Sequence, residues 1–71
     1  MAMSWEKLKG ILCKIWDNHD FLLTAKICLK TDEQRQELAD AIEKRWATNS
    51  DEVLAYILAI YHDAPFKIEK H

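Results

Sequence analysis

Turn-forming material is scarce in this chain. One glycine, Gly10, and one proline, Pro65, stand among 71 residues. All-β sandwiches and barrels need many tight turns, and those turns need glycine or proline, so that class is excluded. Cysteine is nearly as scarce. Cys13 and Cys28 have no second pair, which excludes a disulfide framework, a zinc-ribbon spacing and a redox CxxC. Both lie among apolar residues and are expected as buried free thiols in a reducing compartment. No apolar run approaches transmembrane length. Lys7, Lys9, Gly10 and Lys14 break the first apolar stretch, which removes a signal-peptide reading. The chain is therefore expected to be cytoplasmic and to need no membrane.

Signatures of catalysis are also missing: there is no glycine-rich phosphate loop, no HExxH, no nucleophile elbow and no Cys-His signature. Acids meet histidine only at Asp17, His19 and Asp20, and at His62 and Asp63. Adjacent helical residues point apart and turn residues are mostly solvated, so neither cluster is expected to bind metal. The expectation is a non-enzyme with no catalytic residue, no metal and no cofactor. Met1 and Ala2 ahead of Met3 read as a cloning addition, and His71 as a tag remnant.

What is present is apolar and charged together: 49% hydrophobic and 31% charged residues, including Trp5, Trp16 and Trp46. That is too apolar for disorder and short enough for only one domain. We expect a single helical domain at 3–64 and an extended tail at 65–71, partly tag-derived. Charge is unevenly spread. Residues 1–30 hold five lysines against three acids, whereas residues 31–71 hold five basic and nine acidic residues. Such polarity belongs either to a solvated surface or to a two-faced interaction module.

Four helical segments follow from periodicity and caps. Ser4 is placed to cap the first, where Trp5, Leu8, Leu12, Ile15 and Trp16 recur at helical spacing. Asp20 is placed to cap the second, in which Phe21, Leu22, Ala25, Cys28 and Leu29 form a stripe. Thr31 and Gln34 make a capping box for the third, with Leu38, Ala41, Ile42 and Trp46 as its narrow apolar face and Lys44 and Arg45 in its last turns. Asn49 with Glu52, or Ser50 directly, caps the fourth. Residues 53–61 contain no charge, and their apolar side chains cover nearly the whole circumference. A helix apolar all round must be surrounded, and three short helices can hardly surround it.

A period of two competes within the second segment: Thr24, Lys26, Cys28 and Lys30 alternate with Ala25, Ile27 and Leu29. That alternation, the capped helix from Thr31, and Asn49, Ser50, Asp51 and Glu52 opening an apolar helix together resemble the ribbon-helix-helix repressors. The resemblance covers roughly residues 24–63. It implies a dimer whose strand near 24–30 reads DNA through Lys26, Cys28 and Lys30, with phosphate held at Asn49 and Ser50. Against it, residues 32–37 hold no apolar residue and no glycine separates the two helices.

The expected fold is therefore all-α, a compact bundle of four short helices near 5–17, 20–30, 32–46 and 50–62, with an extended C-terminal tail. The alternative is a ribbon-helix-helix-like α+β dimer that represses transcription. On the bundle, the surplus of the fourth helix reads as a protein-binding surface, for another protein or for a second copy in a homodimer. Size and class suit a small bacterial or phage accessory or inhibitor protein. Candidate partner-binding residues are Trp5, Trp46, Tyr56, Ile60 and Tyr61. Trp5 and Trp46 lie at helix ends, which makes them better candidates than Trp16. Nucleic acid is a partner only under the alternative.

Overall fold

The computed structural model describes residues 3–62. Helix α1 runs Trp5–Ile15, α2 His19–Cys28, α3 Asp32–Glu43 and α4 Ser50–His62. Among the described residues there is no strand, and the helices fold into a particle of 27 × 22 × 22 Å. The all-α bundle is thus the architecture; the tail expected at 65–71 lies outside the described residues.

Residues 24–30 overturn the alternating reading. Had they formed a strand, Ala25, Ile27 and Leu29 would share one face. Instead Ala25 and Leu29 are buried together with Cys28, while Ile27 is 58% exposed. The three-and-four spacing of Phe21, Ala25 and Cys28 puts them on one helical face against the core, and that burial outweighs local strand preference. A DNA-reading ribbon built from Lys26, Cys28 and Lys30 therefore does not exist here: Lys26 and Lys30 are exposed and Cys28 is in the core.

The caps explain the boundaries. Ser4 Oγ accepts the Lys7 amide proton at 3.2 Å. Helix α2 starts one residue earlier than expected because Asn18, not Asp20, caps it, its Oδ1 accepting from the Phe21 amide at 3.0 Å. Thr31 and Gln34 form the expected capping box, and Gln34 Oε1 also accepts the Lys30 amide at 2.8 Å. At α4, Asn49 Oδ1 accepts from the Glu52 amide at 3.0 Å. The Glu52 carboxylate accepts from Thr48, from its amide at 2.8 Å and its hydroxyl at 2.9 Å. This is the capping-box principle shifted by one residue.

Helix α3 stops at Glu43, three residues short of the expectation. The Trp46 amide donates to the Ala41 carbonyl at 2.9 Å and the Arg45 amide to the Ile42 carbonyl at 3.1 Å. These two bonds are a Schellman termination, which requires a left-handed residue between them. Arg45 fills that place with φ 64°. Lys44 and Arg45 thus belong to the stop signal and not to the last turns of the helix.

Both α2 and α3 pack against α1 and against α4. The core between them is Leu8 and Leu12 from α1, Phe21, Ala25 and Cys28 from α2, Leu38, Ala39 and Ala41 from α3, and Val53, Tyr56, Ile57 and Ile60 from α4, with Leu29 and Ala47 from the connections. Three helical alanines among them, Ala25, Ala39 and Ala41, allow close approach of the helix backbones. The first turn of α3 offers no apolar side chain to this core. Arg35 takes the inward place instead. Its Nε donates to the Met3 carbonyl at 2.7 Å, its Nη1 to the Leu29 carbonyl at 3.2 Å, and its Nη2 to Asp32. One planar guanidinium thereby joins the N-terminal segment, the end of α2 and the start of α3.

Candidate interaction surface

Helix α4 packs chiefly on α2 and α3, and its apolar girdle is not fully covered. Val53, Tyr56, Ile57 and Ile60 face inward, and Leu54, Ala55, Leu58, Ala59 and Tyr61 fall on the flanks and the outer side. Leu54, Leu58 and Tyr61 recur at intervals of four and three, which sets them in one line along the helix. Leu58 is 42% and Tyr61 48% exposed, and Leu54 is half-buried. Exposed Asp51 and His62 stand at the two ends of the helix, with the Tyr61 and His62 rings edge to face at 5.0 Å. The result is a charge-free stripe with polar ends.

The residues singled out from sequence are not all on this surface. Tyr56 and Ile60 are buried and belong to the core; Tyr61 is exposed. Burial, and after it the Glu52 carboxylate one turn away, raise the Tyr56 phenol above its ordinary pKa, so it stays neutral at physiological pH. Trp5 and Trp46 are half-buried and pack against the core. Trp46 carries the Lys44 ammonium 5.0 Å from its ring centroid. The most exposed of the three tryptophans is Trp16, which follows α1 and stacks at a tilt on Phe21, centroids 5.4 Å apart. The expected ranking of Trp5 and Trp46 above Trp16 is thus reversed in exposure, because α1 ends at Ile15 and leaves Trp16 outside the helix with Phe21 of the next helix as its inward neighbour. Asn49 is exposed and Ser50 half-buried, both engaged in starting α4.

Sequence reasoning missed Leu54, Leu58, Leu23 and Ile27 as surface residues. Leu23 and Ile27 lie one turn apart on the side of α2 facing away from Phe21, Ala25 and Cys28, and are 44% and 58% exposed. The period of α4 held the signal: the residues four and three apart from Leu54 form a line distinct from the one through Val53, Ile57 and Ile60. Among the described residues no group of three His, Cys, Asp or Glu is gathered as a metal site, and no helix is long and apolar enough to cross a membrane. Cys13 and Cys28 are free thiols, the first half-buried and the second buried. Comparison with protein-family models, curated proteins and solved structures finds no match to the chain.

Proposed function

We propose that the chain is a non-catalytic protein–protein interaction module that associates through α4, in the first instance with a second copy of itself. The observation that carries this reading is the line of Leu54, Leu58 and Tyr61 on a helix without charge from residue 53 to 61. A two-fold contact suits it. Two copies of α4 set antiparallel, with the axis between Leu54 and Leu58, bring Leu54 of one copy against Leu58 of the other, with Asp51 beside Tyr61. Antiparallel helices also place opposite dipole ends together. Exposed apolar stripes on small soluble domains are the usual material of such contacts.

Sedimentation velocity across the micromolar range tests this directly. The expected result is a concentration-dependent dimer, abolished by Leu58→Glu with the helical circular dichroism unchanged. A monomer at every concentration, or a dimer indifferent to Leu58→Glu, would overturn it.

A further inference from the structure

The positive half of the sequence is partly gathered at one place. Helices α1 and α2, joined by only three residues, leave a cleft of about 410 Å³ between them. Trp5, Lys9 and Cys13 line it from α1 at intervals of four, and Leu22 and Lys26 face them from α2 at the same interval. Leu23 forms its exposed lip. Lys26 is in the last turn of α2 and Trp5 opens α1, so both stand away from the connection; Asp17 and His19 close the connection end. The volume falls within the range of small-ligand clefts, about 300–1,000 Å³.

We propose that this cleft receives an acidic segment of a partner protein. An aromatic or aliphatic side chain of the partner inserts between Trp5 and Leu22, and carboxylates beside it meet Lys9 and Lys26. Three features carry the assignment. Trp5 is anchored against the core yet not fully covered, which is the state of an interface anchor awaiting a partner. Both lysines are exposed, and their aliphatic stems can close over an apolar guest while the ammonium groups stay in water. Asp17 repels a carboxylate at the connection end, which orients the acids of the partner toward Trp5 and Lys26. The opposite flank of α1 supplies a built-in contrast. There a groove of about 340 Å³ against α3 has apolar walls in Met3, Ile11 and Ile42 but carries Asp40 and Glu43. It rejects the segment that the α1–α2 cleft accepts. No residue of α4 lines the cleft, so this assignment and the α4 contact stand or fall separately.

The test uses the full chain, ¹⁵N-labelled, and three synthetic peptides: alternating glutamate and phenylalanine, alternating lysine and phenylalanine, and alternating glutamate and serine. Only the glutamate–phenylalanine peptide is expected to shift the Trp5 indole and the amides of Lys9, Leu22 and Lys26. Lys9→Glu with Lys26→Glu should weaken it about tenfold, since two attractions become two repulsions, while Lys7→Glu should leave it unchanged. Binding by unmodified chain should also fall on raising salt from low to physiological ionic strength. Equal binding of the lysine or the serine peptide, an unchanged affinity in the double variant, shifts confined to α4, or association only between copies of the chain would each overturn the assignment. If the double variant fails to fold, the peptide comparison and the salt dependence decide alone.

Discussion

Replacing Arg45 by glycine should stabilise the protein. Arg45 sits at φ 64° because the Schellman termination of α3 needs a left-handed residue between Lys44 and Trp46. A side chain with Cβ clashes there with the following carbonyl, at about 1–2 kcal/mol. Glycine removes that clash but surrenders about 0.5–1 kcal/mol through the larger freedom of its unfolded chain. The Arg45 side chain is exposed, and loss of its charge near the C-terminus of α3 costs at most a few tenths of a kcal/mol. The net is about 0.5 kcal/mol in favour of Arg45→Gly. For a domain of this size that is a rise of about 2–4 °C in Tm. Thermal unfolding followed by circular dichroism at fixed protein concentration is the assay. Arg45→Ala is the decisive companion, because it drops the same charge but keeps Cβ, and it should gain nothing. If alanine stabilises as much as glycine, charge and not backbone geometry governs the site. If neither helps, the left-handed residue carries no cost in this turn, and the reasoning fails.

Three further outcomes follow from the same structure. Arg35→Ala should cost about 2–3 kcal/mol, because the Met3 and Leu29 carbonyls lose a charged donor in a half-buried place. Arg35→Lys should recover less than half, since one ammonium cannot reproduce the planar fork; urea unfolding of both variants measures this. Gly10→Ala should stabilise by about 0.5–1 kcal/mol: a Cβ there meets nothing within 4 Å, φ is not positive, and alanine is the better helix former. A lower urea midpoint for Gly10→Ala would contradict it. Alkaline pH should weaken the fold through Tyr56. Its phenol pKa is raised in the folded state, so its contribution is complete below the unfolded value of about 10 and is lost as pH climbs from there through the folded pKa. Stability measured from pH 9 to 11.5 should fall less steeply in Tyr56→Phe, whatever the offset between the two proteins at neutral pH; parallel curves would refute the assignment.

The parts of this architecture that were legible in the sequence are those set by short-range chemistry. Ser4, Thr31 with Gln34, and Asn49 announce helix starts through side chains that accept from an amide three residues along the chain, and all three appear, whereas α2 is capped by Asn18 and not by the expected Asp20. The stop of α3 was not legible, because its signal is a left-handed residue and arginine is a poor advertisement for one. Residues 24–30 satisfied two periods at once, and what selected helix was which face met α4, a fact about a segment 25 residues further on. Arg35 was invisible for a related reason. The lack of apolar residues at 32–37 counts only against the ribbon-helix-helix resemblance, whereas a single guanidinium joins three separate chain segments there. On α4 the surplus of apolar residues was plain, but which of them face outward depends on the directions from which α2 and α3 approach.

The two charged halves of the sequence turn out to meet along α1, and this bears on which assemblies are open to the protein. On one flank of that helix Lys9 and Lys26 edge a cleft; on the other Asp40 and Glu43 edge a groove. A basic cleft and an acidic groove on one molecule are complementary between copies, and joined once per pair they make a head-to-tail contact. Such a contact does not stop at two copies: it builds a ring where the rotation closes and a filament where it does not. An α4 contact about a two-fold axis has the opposite property, since each copy uses the same stripe and the assembly stops at two. Apolar burial is scarcely affected by salt, whereas lysine–carboxylate attraction weakens as the screening length shortens. The two modes are therefore separable in one experiment. Light scattering at low ionic strength should show a dimer in the parent chain and no growth beyond it, if Asp17 in the cleft and the spread of Asp40 and Glu43 keep the head-to-tail contact weak. Salt-sensitive species larger than a dimer, persisting in Leu58→Glu and removed by Lys9→Glu with Lys26→Glu, would show that the charged flanks and not α4 dominate self-association.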